Sequence, residues 1–192
     1  HGDMPTCLLQ PLQPTSTATT QSTPQPSPTN DALTQQYRTT PDLVILHKNA
    51  RGLSNNDRIQ ELLIELEPLK WDFITLNETM RTTREEVWVT DGGHLFMGSG
   101  HNENTRGVAI LIHRRWKKHM VQFRAISERV AMADICRGRF KVRVVAAYFP
   151  HSGYNDAPVQ HVYDSLTLLH KEATTKHMHF ILGTDCNARV GP

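Results

Sequence analysis

A short apolar run that gives way to paired polar residues constrains this chain more than any other stretch: Phe180-Ile181-Leu182-Gly183-Thr184-Asp185-Cys186-Asn187. Phe180, Ile181 and Leu182 have the unbroken apolar character of a strand buried on both faces. Gly183 lets the chain bend, and in an extended segment residues two apart share a face. Asp185 and Asn187 therefore point the same way at the edge of a buried sheet, where open α/β folds place ligands. A carboxylate and a carboxamide so placed can activate water, hold an ion or hydrogen-bond a phosphate oxygen. The same Asp-x-Asn-x-x-x-Gly spacing is also ordinary turn chemistry, with side chains bonding their own backbone. The rest of the chain has to decide.

Three more strands end the same way. Residues 43–49, Leu-Val-Ile-Leu-His-Lys-Asn, read as a β-branched, apolar strand closing on Asn49. Asn55 or Asn56 can cap a helix over 57–67, where Ile59, Leu62, Leu63 and Leu66 form an apolar stripe and Pro68 stops it. Residues 71–76 make the next strand, followed by Asn77-Glu78-Thr79. Strand, helix, strand is the unit of a parallel pair with a right-handed crossover, so Asn49 and Glu78 belong at the same ends of neighbouring strands. Asp185 joins them if the last strand lies facing or adjacent. The middle predicts antiparallel strands over 86–89, 94–97, 107–113, 120–123, 130–135 and 140–148, with a hairpin turn at Arg137-Gly138-Arg139. The last of these ends on Tyr148. A helix over 159–174 precedes the final strand.

Singly, each polar group has a plain structural reading: Asn49 as a turn residue, Glu78 as a solvated acid at a helix start, Tyr148 as a half-buried tyrosine. As an ordered set they suit phosphodiester chemistry. A carboxylate such as Glu78 is a hard oxygen ligand for Mg²⁺, which binds through one or two carboxylates and keeps its waters. Asp185 can orient and deprotonate water. Asn187, Asn49 and the Tyr148 hydroxyl can donate to charge developing on phosphate oxygens.

Composition narrows the setting. Residues 1–41 are dominated by Thr, Gln, Ser and Pro with a single aromatic, Tyr37. Such a segment cannot bury enough apolar surface to offset its ordering entropy, and it is expected to be a disordered leader. Residues 42–192 are the candidate folded domain. A net charge of +2 permits nucleic acid as a partner without demanding one. The 3 cysteines are scattered, which points to a reduced, intracellular chain with neither disulfide framework nor zinc spacing. The 11 histidines are dispersed and form no zinc pattern. No apolar run is long enough for a membrane helix, and no secretory signal pattern is visible. Starting at His1, the sequence reads as a fragment at that end.

The motifs Lys48-Asn49-Ala50-Arg51-Gly52-Leu53, Leu76-Asn77-Glu78-Thr79, Gly107-Val108-Ala109-Ile110-Leu111, Tyr148-Phe149-Pro150-His151-Ser152-Gly153 and Gly183-Thr184-Asp185-Cys186-Asn187-Ala188 occur in that order. Together they resemble the endonuclease/exonuclease/phosphatase superfamily. The nearest likeness is to the apurinic/apyrimidinic-like endonuclease domain of non-LTR, LINE-type (RTE-like) retrotransposons, which also occurs in the craniofacial development protein 2-like proteins. The resemblance covers residues 43–191. It implies an α/β, four-layer sandwich of two stacked mixed β-sheets flanked by helices, and Mg²⁺-dependent (or Mn²⁺-dependent) nicking of double-stranded DNA, in the nucleus, to prime reverse transcription. Glu78 would be the metal ligand, and Asp185 would activate or position water. Asn187 and Tyr148 would stabilise the pentacovalent phosphate, and Asn49 would help hold the metal and the acid network. Arg51, His151 and Arg129 would contact substrate; a structural salt bridge is an equal reading for Arg129.

The pattern also departs from the family. Asn77 stands where Gln is usual, Thr184 and Cys186 leave only the Asp-x-Asn spacing of Gly-Asp-Phe-Asn, and His151 replaces a common Asn. The family continues to a further Asp and a Ser-Asp-His motif. With Pro192 as its last residue, this chain is expected to lack that C-terminal third and to be catalytically incomplete as it stands. The alternatives are another superfamily activity, a phosphatase or deadenylase, or a non-catalytic remnant that binds nucleic acid or a partner.

Overall fold

The computed structural model describes residues 42–101, 106–150 and 156–187. The leader, His151 with the rest of its loop, and residues 188–192 lie outside the described residues. Thr40–Pro192 is one compact unit, and all that follows concerns it.

Period-2 alternation builds the fold. Strand β1 (Ile45–Asn49) pairs in parallel with β2 (Phe73–Asn77), joined through helix α1 (Asn56–Leu66), as the strand–helix–strand reading requires. Asn55 caps α1, its side chain accepting from Arg58 N at 3.0 Å. β3 (Glu86–Val89), β4 (Leu95–Ser99) and β5 (Val108–Ile112) complete an antiparallel extension, giving a five-stranded sheet in the order β1-β2-β5-β4-β3. The second sheet has four strands in the order β6-β7-β8-β9: β6 (Met120–Ser127), β7 (Val130–Arg137), β8 (Phe140–Tyr148) and β9 (His179–Asp185). Helix α2 (Asp156–Thr175) links β8 to β9, which pair in parallel. The hairpin turn between β7 and β8 carries Gly138 at φ 61°.

Each β2 residue serves one of two layers. Phe73, with Ile110, Ile112, Val142, Val144 and Ala146, fills the space between the sheets, while Ile74 and Leu76 turn outward onto Ile59, Leu62 and Leu66 of α1. On the far side Met132, Val145 and Ala147 meet Val162 and Leu169 of α2. The result is helix, sheet, sheet, helix: the four-layer α/β sandwich. Full burial of such side chains contributes roughly 1.5–3 kcal/mol each.

The expectation for the last strand needs correction. β9 is not buried on both faces: it forms an edge of its sheet, bonded to β8 alone among the described residues, and Leu182 is 39% exposed. Ile181 packs inward and Phe180 onto α2, so the apolar run serves two layers without being covered along its length.

Candidate active site

The inward parity of four strands decides where the polar groups go. Ile45 and Ile181 pack into the inter-sheet core, so Asn49 and Asp185, each an even number of residues further on, keep the inward face. Tyr148 follows Val144 and Ala146 on the same face of β8. At this end of the sandwich the strand ends of the two sheets meet.

Asn49 is the junction. Its Nδ2 donates to Glu78 Oε1 at 2.9 Å and to Asp185 Oδ2 at 3.3 Å, so one amide spans the carboxylates of both sheets. Asp185 Oδ1 accepts from Asn187 N at 3.0 Å, and Asn187 Nδ2 donates to Phe149 O at 2.8 Å. The Tyr148 hydroxyl faces the Glu78 carboxylate and the Asn187 amide. Burial raises its pKa and the facing Glu78 carboxylate adds to this, so it is a neutral donor near neutrality. Arg51 Nε lies 3.4 Å from Glu78 Oε2, but its side chain is 80% exposed against 14% for Glu78. Arg129 is buried with its guanidinium 5.4 Å from the centre of the Tyr148 ring, and 3.8 Å from Glu128 Oε1. Asn49, Glu78, Tyr148, Asp185, Asn187 and Arg51 are thus brought together, with Arg129 behind Tyr148. His151 lies outside the described residues.

The backbone here is held in sparsely populated conformations. Glu78 has φ 53°, Asn187 φ 45° and Arg51 φ 30°, all in the left-handed region. Surrounding hydrogen bonds keep them there: Gly52 N to Glu78 O, Thr79 N to Gly107 O, and Phe149 N to Asp185 O. Non-glycine residues in this region cost of order 1–3 kcal/mol each and cluster at functional sites.

Three contributors escaped the sequence reading. Asn77, buried, donates to Ala147 O at 2.9 Å and so ties the two sheets together directly under the site. Gly183 faces Thr75 so closely that a Cβ there would lie 1.8 Å from Thr75 Oγ1. His47 shares the inward face of β1 with Asn49, and its Nδ1 is 2.9 Å from Thr75 Oγ1. Burial lowers the His47 pKa, with the Asp185 charge working against that. Strand parity places residues 47, 75, 77 and 183 inward, but it does not say which residue of the facing sheet each one meets.

The donor set is entirely oxygen: two carboxylates and the Asn49 amide oxygen, which is buried and has no hydrogen-bond partner. An orphaned buried acceptor beside two acids suits a hard divalent cation. Among the described residues no three His, Cys, Asp or Glu side chains converge. A cavity of about 420 Å³ lies at the other end of the sandwich, against Trp71, His94 and His113.

No family model matches the sequence, and no curated protein does. Solved structures do. The 3′ phosphatase NExo from Neisseria, bound to a product DNA hairpin, superposes over 76% of this chain and 58% of its own, with a TM-score of 0.51 at 20% identity. The AP endonuclease LMAP from Leishmania major matches over 74% of this chain and 54% of its own, with a TM-score of 0.52 at 16% identity. The chain has the endonuclease/exonuclease/phosphatase fold. It spans little more than half the length of either of these proteins of that fold. The endonuclease domain of TRAS1, a telomere-specific non-LTR retrotransposon, is also similar over 77% of this chain and 60% of its own, at 15% identity and a TM-score of 0.47, and carries no weight in assigning the fold. No helix among the described residues is long and apolar enough to cross a membrane.

Proposed function

We propose that this cleft hydrolyses phosphodiester bonds in double-stranded DNA with a divalent cation, Mg²⁺ or Mn²⁺, as the nicking endonuclease of a non-LTR retrotransposon acting in the nucleus. One observation carries the reading: a single amide joins Glu78 and Asp185 across the mouth between the sheets, beside a neutral tyrosine hydroxyl. The five ordered motifs and the fold support it, and the motif resemblance alone supports the retrotransposon origin.

Glu78 and the Asn49 amide oxygen would hold the cation, which when bound neutralises phosphate charge. The chain's own residues do the rest. Asp185, fixed by Asn49 and Asn187 N, orients an attacking water and accepts its proton. The Tyr148 hydroxyl donates to a phosphate oxygen, and the Asn187 amide beside it donates to the same developing charge. Arg51, exposed at the rim, meets the DNA backbone.

The test is nicking of supercoiled plasmid by the 192-residue chain and by a version carrying a further Asp and Ser-Asp-His segment. Mg²⁺-dependent nicking, abolished by chelator and reduced about 10²–10⁴-fold by Glu78→Ala or Asp185→Ala, is expected in the longer protein and weakly in the shorter. Nicking by either that survives both substitutions overturns the assignment. DNA binding without nicking in both would favour a non-catalytic binding module.

A further inference from the structure

The end of the sandwich opposite the cleft carries a concentration of unpaired positive charge. Lys117 and Lys118 lie on a 3₁₀ turn (Lys117–His119), Arg137 and Arg139 on the β7–β8 hairpin, and Lys141 at the start of β8. They belong to one surface: the Arg137 guanidinium sits 5.4 Å from the Trp116 ring centre, next in sequence to Lys117, and Trp116 in turn meets Phe140 at 5.9 Å. Lys141 and Lys176 line one cavity of about 410 Å³. Among the described residues none of these six forms an ion pair, and all are exposed.

Two acids at this end are neutralised from within, while Glu67 and Asp91 lie exposed beside the Trp71 cavity. Asp72 is bonded by Arg115 and Trp116, and Asp134 by Arg143, both carboxylates being buried. The chain as a whole is nearly balanced, with 21 Lys and Arg against 19 Asp and Glu. A local excess of this size is therefore a segregation of charge, not a general basicity. One exposed ring lies beside it, His179 stacked on Phe140 at 5.6 Å, while the half-buried His119 packs on the buried Trp116 at 5.9 Å.

We propose that this basic end is a second nucleic-acid contact, gripping a phosphate backbone at a point remote from the cleft. Cations without partners draw affinity from counterion release, and the exposed His179 ring beside them offers a face on which an unpaired base can stack. A chain with a contact at each end holds one stretch of nucleic acid while the cleft faces another. This stands whether or not the cleft hydrolyses anything.

Fluorescence anisotropy in chelator, where no cleavage occurs, tests it with a 40-nucleotide single strand, the matching duplex, and vesicles of phosphatidylserine and phosphatidylcholine. Lys117→Ala with Arg139→Ala and Lys141→Ala is expected to weaken binding to one or both nucleic acids at least tenfold at low salt. Each lost phosphate contact should also lower the slope of log K against log salt by about 1. Arg137 is left in place because it covers Trp116. If the triple variant melts lower than the parent, Lys118→Ala with Arg139→Ala replaces it, with a loss about two-thirds as large on a logarithmic scale. A further His179→Ala that weakens the single strand but not the duplex adds the ring to the contact; no effect on either leaves the phosphates alone. Unchanged affinity and salt slope for both nucleic acids overturn the proposal, as does binding to the vesicles with none to nucleic acid.

Discussion

Two clusters on this molecule each gather a pair of acids, and they are finished differently. Beneath α2, Asp134 and Glu172 meet Arg143 and Arg124: Arg143 Nε and Nη2 bond Asp134 at 2.7 and 2.8 Å, its Nη1 bonds Glu172 at 2.9 Å and Leu169 O at 2.9 Å, and Arg124 closes on Glu172. Two acids face two guanidiniums, with Arg143 wholly buried. In the cleft, Glu78 and Asp185 face one neutral amide and one arginine that is mostly in solvent, and the second arginine, Arg129, lies behind the Tyr148 ring with an acid of its own, Glu128. The first cluster is electrostatically closed, and its job is to fasten a helix to a sheet. The second is left short of positive charge, which a purely structural cluster at strand ends has no reason to be. A site is recognised here by the incompleteness of its charge, more than by its acids.

That contrast can be broken by measurement. The largest effect belongs to the open cluster and to activity: Glu78→Ala should remove about 10²–10⁴ of plasmid nicking while costing about 1–2 kcal/mol in urea stability, since it removes the hydrogen bond from the Asn49 amide and a weak pair with an exposed arginine. A large stability loss would reclassify Glu78 as structural. In the closed cluster the order reverses. Arg143→Ala should cost about 3–5 kcal/mol in urea unfolding, because it strands the buried Asp134 while Glu172 keeps Arg124, and nicking measured well below the unfolding midpoint should persist. Asn77→Ala sits between the two regions. It leaves Ala147 O buried without its donor, worth about 1–3 kcal/mol, and it loosens the sheets under the cleft, so stability and nicking should both fall.

The strand ends were legible because alternation fixes which face a residue takes, and the parity of Asn49, Tyr148 and Asp185 follows from their own strands. Helix α1 was legible through Asn55 and its apolar stripe. Contacts across the inter-sheet gap were not, since nothing in the sequence gives the registration of one sheet on the other: Asn77 bonding Ala147 O and Thr75 meeting Gly183 belong to that class. The edge position of β9 was misread because a continuous apolar run looks the same when its residues are shared between core and helix as when both faces are covered.

The smallest effect tests the far end, where the acid Asp72 is closed and the imidazoles are not charged. His94 Nδ1 accepts from Arg114 N at 3.1 Å, and burial, with the charges of His113 and Arg114, holds its pKa down to about 4. Its pKa is depressed in the fold, so the associated stability is present above pH 6.5 and is lost as pH falls toward 4. The expected loss is about 1 kcal/mol, well below the full linkage value because the ring still meets solvent. His94→Gln should flatten that part of the pH–stability curve; an unaltered curve would assign the drop to other groups.

Gly183 carries a consequence for the cleft that its burial alone does not express. It lies two residues before Asp185, and Thr75 three before Glu78, so the touching pair acts as a calliper stop: the carboxylates can approach only as far as a hydroxyl resting on a bare Cα allows. A single methyl group at position 183 would work as a shim, prising the mouth open by the width of the clash. The bite of the cleft is therefore set from outside the carboxylates themselves, and on the proposed reading the same stop would set the radius of the cation the cleft takes.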